Sequence, residues 1–210
     1  MGRQEQTNHL FSNRDLRILL VPLIVEQILN YLMGTADSIM VSNVGSAAIS
    51  AVSLVDSINI LVIQAFYALA AGGTIVCSQY IGQKDKKNAE ESARQLSFVV
   101  ACISSAVMAV CILTRGPLLR LIFGSVEADV MEAAQIYFFY TALSFPFIAL
   151  YDAGSSIDRA QGNTRLPITI AVVSNGLNIA GNAVLIWGFH LGVAGAAIAT
   201  LGSRVISAVV

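Results

Sequence analysis

Asp37 stands in the apolar run Ile18–Val41, which is long enough to cross a bilayer. A carboxylate inside lipid costs about 2.5–3.5 kcal/mol on insertion scales, so it persists where it faces a protein interior or a water-filled cavity. Such a group is what a proton or cation coupler needs. Counted from Ile18, Asp37 lies roughly 28 Å along a helix, toward its outer end, where reaching water is the simpler alternative. A second polar group lies in Ser174–Asn182. Asn175, Asn178 and Asn182 are spaced 3 and 4 apart and share one helix face. Three carboxamides within lipid require partners. Either they bond neighbouring helices together or they line a polar chamber facing Asp37. Thr200, in the last apolar run, can present a hydroxyl to the same chamber or bond back to its own helix. Gly195, Ala199 and Ser203 form a stripe of small residues that lets helices approach closely. Glu26 and Asn30 fall in the first run and are possible chamber-lining residues with Asn175. Asp56 is expected to be a charge near the start of the second span, and Asp152 and Asp158 are expected in a solvated loop beside Arg159.

These residues must be positioned by membrane helices. Of 210 residues, 56% are hydrophobic and only 12% charged, about half the charge content of a soluble domain. Mean hydropathy is +0.72. Six spans are expected, roughly Ile18–Val41, Ser53–Gln79, residues 94–113, Ala133–Ala153, Leu166–Phe189 and Val193–Val210, after a cytoplasmic tail over residues 1–17. Period-2 alternation is absent, which argues against a barrel. Pro167 falls at the start of the fifth span, where its missing N–H matters little, and Pro146 should kink the fourth. With the N-terminus inside, the cytoplasmic segments hold Arg3, Arg14, Arg17, Lys84, Lys86, Lys87, Arg94, Arg159 and Arg165. The outer loops hold only Arg115 and Arg120, so a multi-pass protein with a cytoplasmic N-terminus is predicted. Trp187 and Phe189 suit the outer interface.

Several functions are disfavoured. A net charge of −1 gives no footprint for nucleic acid. HExxH, GxSxG and Walker A motifs are absent, so neither catalytic residues nor a cofactor is expected. Cys77, Cys102 and Cys111 make no CxxC or Cys/His cluster, so no metal site is expected, and Cys102 and Cys111 read as packing residues. Residues 1–17 followed by a run interrupted at Pro22, Glu26 and Gln27 do not read as a signal peptide, and a cytoplasmic tail leading into a retained helix is expected.

Five stretches together resemble the multidrug and toxic compound extrusion (MATE) transporters. They are Gly34–Val41 with Gly45, Ser78–Asp85, Gly162–Pro167, Leu177–Asn182 and Gly192–Thr200. The resemblance implies an all-α membrane protein in which these six helices form the N-terminal lobe of a twelve-helix transporter. A C-terminal lobe, or a second copy of this chain, would be its partner. It further implies a cation-coupled antiporter of the cell membrane, exporting small amphipathic or cationic compounds by alternating access, with H⁺ or Na⁺ as the coupling ion. Asp37 matches the ion-binding aspartate of helix one, Asn178 a polar partner on helix five, and Thr200 a hydroxyl on helix six. Asn182 departs from the pattern, since many members have Asp there, and a single carboxylate suits a proton better than Na⁺. A lipid-linked saccharide flippase of the same superfamily, or a non-transporting fragment, is the alternative; the flippase would favour basic residues in the chamber, where only Arg204 falls mid-helix. An intramembrane enzyme using Asp37 and Glu26 is disfavoured, because the two lie roughly 17 Å apart along one helix.

Overall fold

The computed structural model describes residues 13–210, and every element in it is helical. α1 (Asn13–Ser42) leads through a tight turn to α2 (Ser46–Gly82). Gly45 makes that turn possible, because its φ of 144° is a conformation side-chain-bearing residues rarely adopt. α3 (Lys86–Phe123) is capped by the Asp85 carboxylate, which accepts from the Asn88 backbone N–H at 3.2 Å. α4 (Ala128–Leu143) and α5 (Phe145–Ala160) are two halves of one broken span, bent by 42° at Ser144. α6 (Arg165–Asn182) runs into a π-helical turn, Ala183–Gly188, and α7 (Gly192–Val209) follows.

Among the described residues, α2, α3, α6 with its π turn, and α7 are long and apolar enough to cross a membrane, and the α4–α5 pair counts as a fifth span. α1, the sixth expected span, carries side chains outside the described set and is not in that count. The spans differ from expectation in extent. α2 begins at Ser46, not Ser53, because Ala47, Ala48 and Ala51 extend its apolar face. α3 runs well beyond residues 94–113 at both ends, since charged residues tolerate helix outside lipid. The fourth span starts at Ala128 and is broken, as Pro146 suggested: with no N–H to donate, Pro146 fits the first turn of α5.

The core lies where α2, α3, α4 and α5 meet. Val52, Val55, Val100, Phe138 and Phe145 are buried there, and the Phe66 and Phe145 rings meet edge to face at 5.9 Å. The outer faces are apolar, with Leu61, Leu113, Leu121 and Trp187 exposed. This inversion is expected of a chain whose solvent is lipid. Cys102 belongs to that outer surface, unlike buried Cys77 and Cys111, so it is not a packing residue.

Candidate functional site

α1, α6 and α7 converge on Asp37. Its carboxylate is buried, 7% exposed, near the end of α1. The Asn182 amide Nδ2 donates to Asp37 Oδ1 and also to Asn178 Oδ1 at 3.3 Å. Asn178 in turn donates to Thr200 Oγ1 on α7 at 3.1 Å. Asn178 and Asn182 are wholly buried and Thr200 is nearly so. Four polar groups from three helices thus form one continuous chain, Asp37–Asn182–Asn178–Thr200. The 3–4 spacing on α6 makes this possible, because it stacks Asn178 below Asn182 on one face. Thr200 is engaged across the interface rather than solely with its own helix.

Close helix approach brings the chain together. A Cβ on Gly195 would meet the Leu185 backbone carbonyl carbon and oxygen at 3.1 Å, and one on Gly181 would meet the Ala199 Cβ at 3.1 Å. The α6 side of the first contact is the π-helical turn that starts immediately after Asn182. Such turns are rare and recur at functional sites. Ser174 Oγ adds a bond to the Ser203 carbonyl of α7 at 3.2 Å. Asn175 is also buried, but its Nδ2 has no hydrogen-bond partner. It shares the face and not the chain. The side chains of Glu26 and Asn30 lie outside the described residues.

Sequence reasoning missed a second cluster. Asp56 is not near the start of its helix, because α2 begins about three turns earlier. The Tyr137 hydroxyl of α4 donates to Asp56 Oδ1 at 3.3 Å, as does Asn59 Nδ2 at 3.3 Å. Arg204 of α7, one turn beyond Thr200, donates from Nη1 to Ser144 Oγ at 2.7 Å, at the break between α4 and α5. Asp152 is 9% exposed on α5, not in a solvated loop, and acts electrostatically on Arg204 together with Asp56 and Asp37. The available signal was two opposite charges, Asp56 and Arg204, each within an apolar span. A recess of about 140 Å³ between α5, α6 and α7, lined by Tyr151, Ser155, Asp158 and Pro167, lies away from Asp37.

A helical bundle with apolar outer faces seals a carboxylate and a chain of amides inside. The chain belongs to the MatE family, which it matches over residues 22–184. It is 34% identical over 206 residues to the uncharacterized transporter YisQ of Bacillus subtilis (strain 168), covering 96% of this chain and 44% of that protein. It is 27% identical to the probable multidrug resistance protein NorM of Thermotoga maritima, covering 93% of this chain and 42% of that one. A crystal structure of MATE in the straight conformation superposes with a TM-score of 0.85 at 25% identity, over 92% of this chain and 42% of the other. The chain therefore spans less than half the length of the relatives it matches, and its fold is that of one MATE lobe.

Proposed function

We propose that this chain is the ion-coupling lobe of a proton-driven antiporter that exports small amphipathic or cationic compounds across the cell membrane by alternating access, with its N-terminus in the cytoplasm. The observation that carries the reading is the buried chain from Asp37 through Asn182 and Asn178 to Thr200. A lone buried carboxylate is costly while charged and cheap once protonated. Proton uptake at Asp37 therefore exchanges a buried anion for a neutral acid that must donate rather than accept.

Asn182 can answer that exchange. Its Nδ2 serves the carboxylate, while its Oδ1 is buried with no partner. Rotating the amide by a half-turn presents Oδ1 to the protonated acid and withdraws the N–H from Asn178. The change then passes to Thr200 on α7. An aspartate at 182 could accept but not donate while ionised, so the asparagine supports H⁺ over Na⁺ as the coupling ion. α1 is the element free to respond. Its described side chains Leu20, Ile24, Ile28, Leu32 and Ile39 face outward, whereas Asp37, Met40 and Val41 anchor it. Repacking α1 against α6 and α7 would reshape a substrate chamber shared with a second lobe or a second copy. The flippase reading is disfavoured, because Arg204 stands among carboxylates and presents no open cationic pocket to a pyrophosphate.

The test is Asp37→Asn in the full-length protein, in proteoliposomes carrying a pH gradient. The variant keeps an oxygen to accept from Asn182, so it should fold. Proton-driven efflux should be lost, and its full retention would refute the assignment.

A further inference from the structure

Asp37 and Asp56 are built alike. Each carboxylate Oδ1 accepts from an asparagine Nδ2, Asn182 for Asp37 and Asn59 for Asp56. Each of these asparagines is buried, 0% and 3% exposed, and each leaves its own Oδ1 without a partner. A buried amide oxygen left idle beside a carboxylate is costly unless some state of the site uses it. The state that uses it is the protonated acid, whose O–H needs an acceptor. The two centres lie within electrostatic reach of one another. Arg204 stands in reach of both, its Nε unpartnered and, among the described residues, no carboxylate within 4.0 Å.

We propose that Asp56, with Asn59 and Tyr137, is a second proton-binding site of this lobe, joined to Asp37 through the fixed charge of Arg204. The groups that face Asp56 are Asp37 from α1, Tyr137 from α4, Asp152 from α5 by way of Arg204, and Arg204 itself from α7. With Asp37 and Asp56 both ionised, one guanidinium would stand in reach of two carboxylates and leave a buried negative charge uncompensated, which a proton at either site removes. The proton adds to a carboxylate oxygen and leaves from it, so no other reactant is needed. Proton binding at Asp56 is independent of the transport reading; only its use in coupling rests on that reading.

The experiment is acid titration of the detergent-solubilised chain, reading carboxylic-acid C=O stretching bands by infrared difference spectroscopy. Asp56→Asn should remove one buried-acid band, Asp37→Asn a different one, and the double variant both. Arg204→Gln should keep both bands and move both midpoints to higher pH by about one unit or more, since an opposing cation is lost. Tyr137→Phe and Asn59→Ala should keep the Asp56 band but shift its frequency, which supplies a second readout should Asp56→Asn fail to fold. An Asp56→Asn spectrum identical to that of the unaltered chain overturns the proposal, as does a Tyr137→Phe band that does not move. Undiminished efflux by Asp37→Asn in the full-length protein, with the Asp56 band intact, would overturn the transport reading and leave this site standing.

Discussion

The three asparagines of α6 provide an internal comparison. They share a residue type and a helix face, yet the structure gives them different work. Asn178 is wholly buried, donates to Thr200 Oγ1 and accepts from Asn182. Asn175 is 8% exposed and its Nδ2 has no partner. Side-chain hydrogen bonds between membrane helices average about 0.6 kcal/mol, and an orphaned buried group adds about 1–3 kcal/mol. Asn178→Ala removes two bonds and strands part of the Asn182 amide, so it should cost about 2–3 kcal/mol. Asn175→Ala removes an amide that bonds to nothing described and should fall within about 0.5 kcal/mol of the unaltered chain, or stabilise it slightly. The assay is reversible unfolding in mixed micelles by increasing sodium dodecyl sulfate, followed by circular dichroism. Equal losses for the two variants would mean that the face acts by packing alone, and a neutral Asn178→Ala would mean that the chain of bonds contributes nothing.

Three further outcomes are expected. Gly195→Ala forces a methyl to within 3.1 Å of the Leu185 backbone and should cost about 1–3 kcal/mol, whereas Gly72→Ala meets nothing within 4 Å and should be neutral or stabilising by about 0.5–1 kcal/mol in the same unfolding assay. Asn182→Asp places a second carboxylate against Asp37, so Na⁺ should raise the thermal midpoint of that variant, by about 2.7 kcal/mol of stability at a hundredfold excess over its dissociation constant. The midpoint of the unaltered chain should not respond to Na⁺, and an equal rise in both would show that Asn182 is not what excludes the ion. Ser144→Ala removes the acceptor of Arg204 Nη1 at the α4–α5 break and should cost about 1–3 kcal/mol, read by the same denaturant titration.

The Asp37 chain was legible because its signals are local. A carboxylate amid apolar residues, three amides at helical spacing and one hydroxyl in a small-residue stripe each stand out within a single span, and shared helix faces make their meeting predictable. The Asp56–Arg204 cluster was not legible because it draws on α2, α4, α5 and α7, and because the apolar window delayed the start of α2 to Ser53. That seven-residue error moved Asp56 from mid-helix to the helix mouth, where an acid needs no explanation. Asp152 was misplaced similarly: next to the polar stretch Gly154–Asp158 it read as loop, whereas α5 continues to Ala160 and buries it. The π-helical turn has no composition signature. It lies where Gly195 lets α7 come close to the Leu185 backbone, a contact between helices that periodicity along one helix does not contain.

α7 is the element through which the two clusters can communicate. Thr200 ends the hydrogen-bond chain from Asp37, and Arg204, one turn on, grips Ser144 at the bend between α4 and α5. A shift of α7 driven from Thr200 therefore cannot leave Arg204 in place. It must either carry the bend at Ser144 with it or break a buried bond to a guanidinium, and charged hydrogen bonds of that kind contribute about 1.5–3 kcal/mol. Carrying the bend is the cheaper course, because Pro146 already leaves that junction without one of its helical bonds. Protonation at Asp37 would thus be felt as a change of angle in the broken span at Ser144. The corollary is that Arg204→Lys, which keeps the charge but loses the guanidinium geometry, should preserve both carboxylic-acid bands while uncoupling motion of the bend from the state of Asp37. Spin labels on α4 and α5 would read that directly: their separation should change with acidification in the unaltered chain and stay constant in the lysine variant. A separation that changes equally in both would place the connection elsewhere than Arg204.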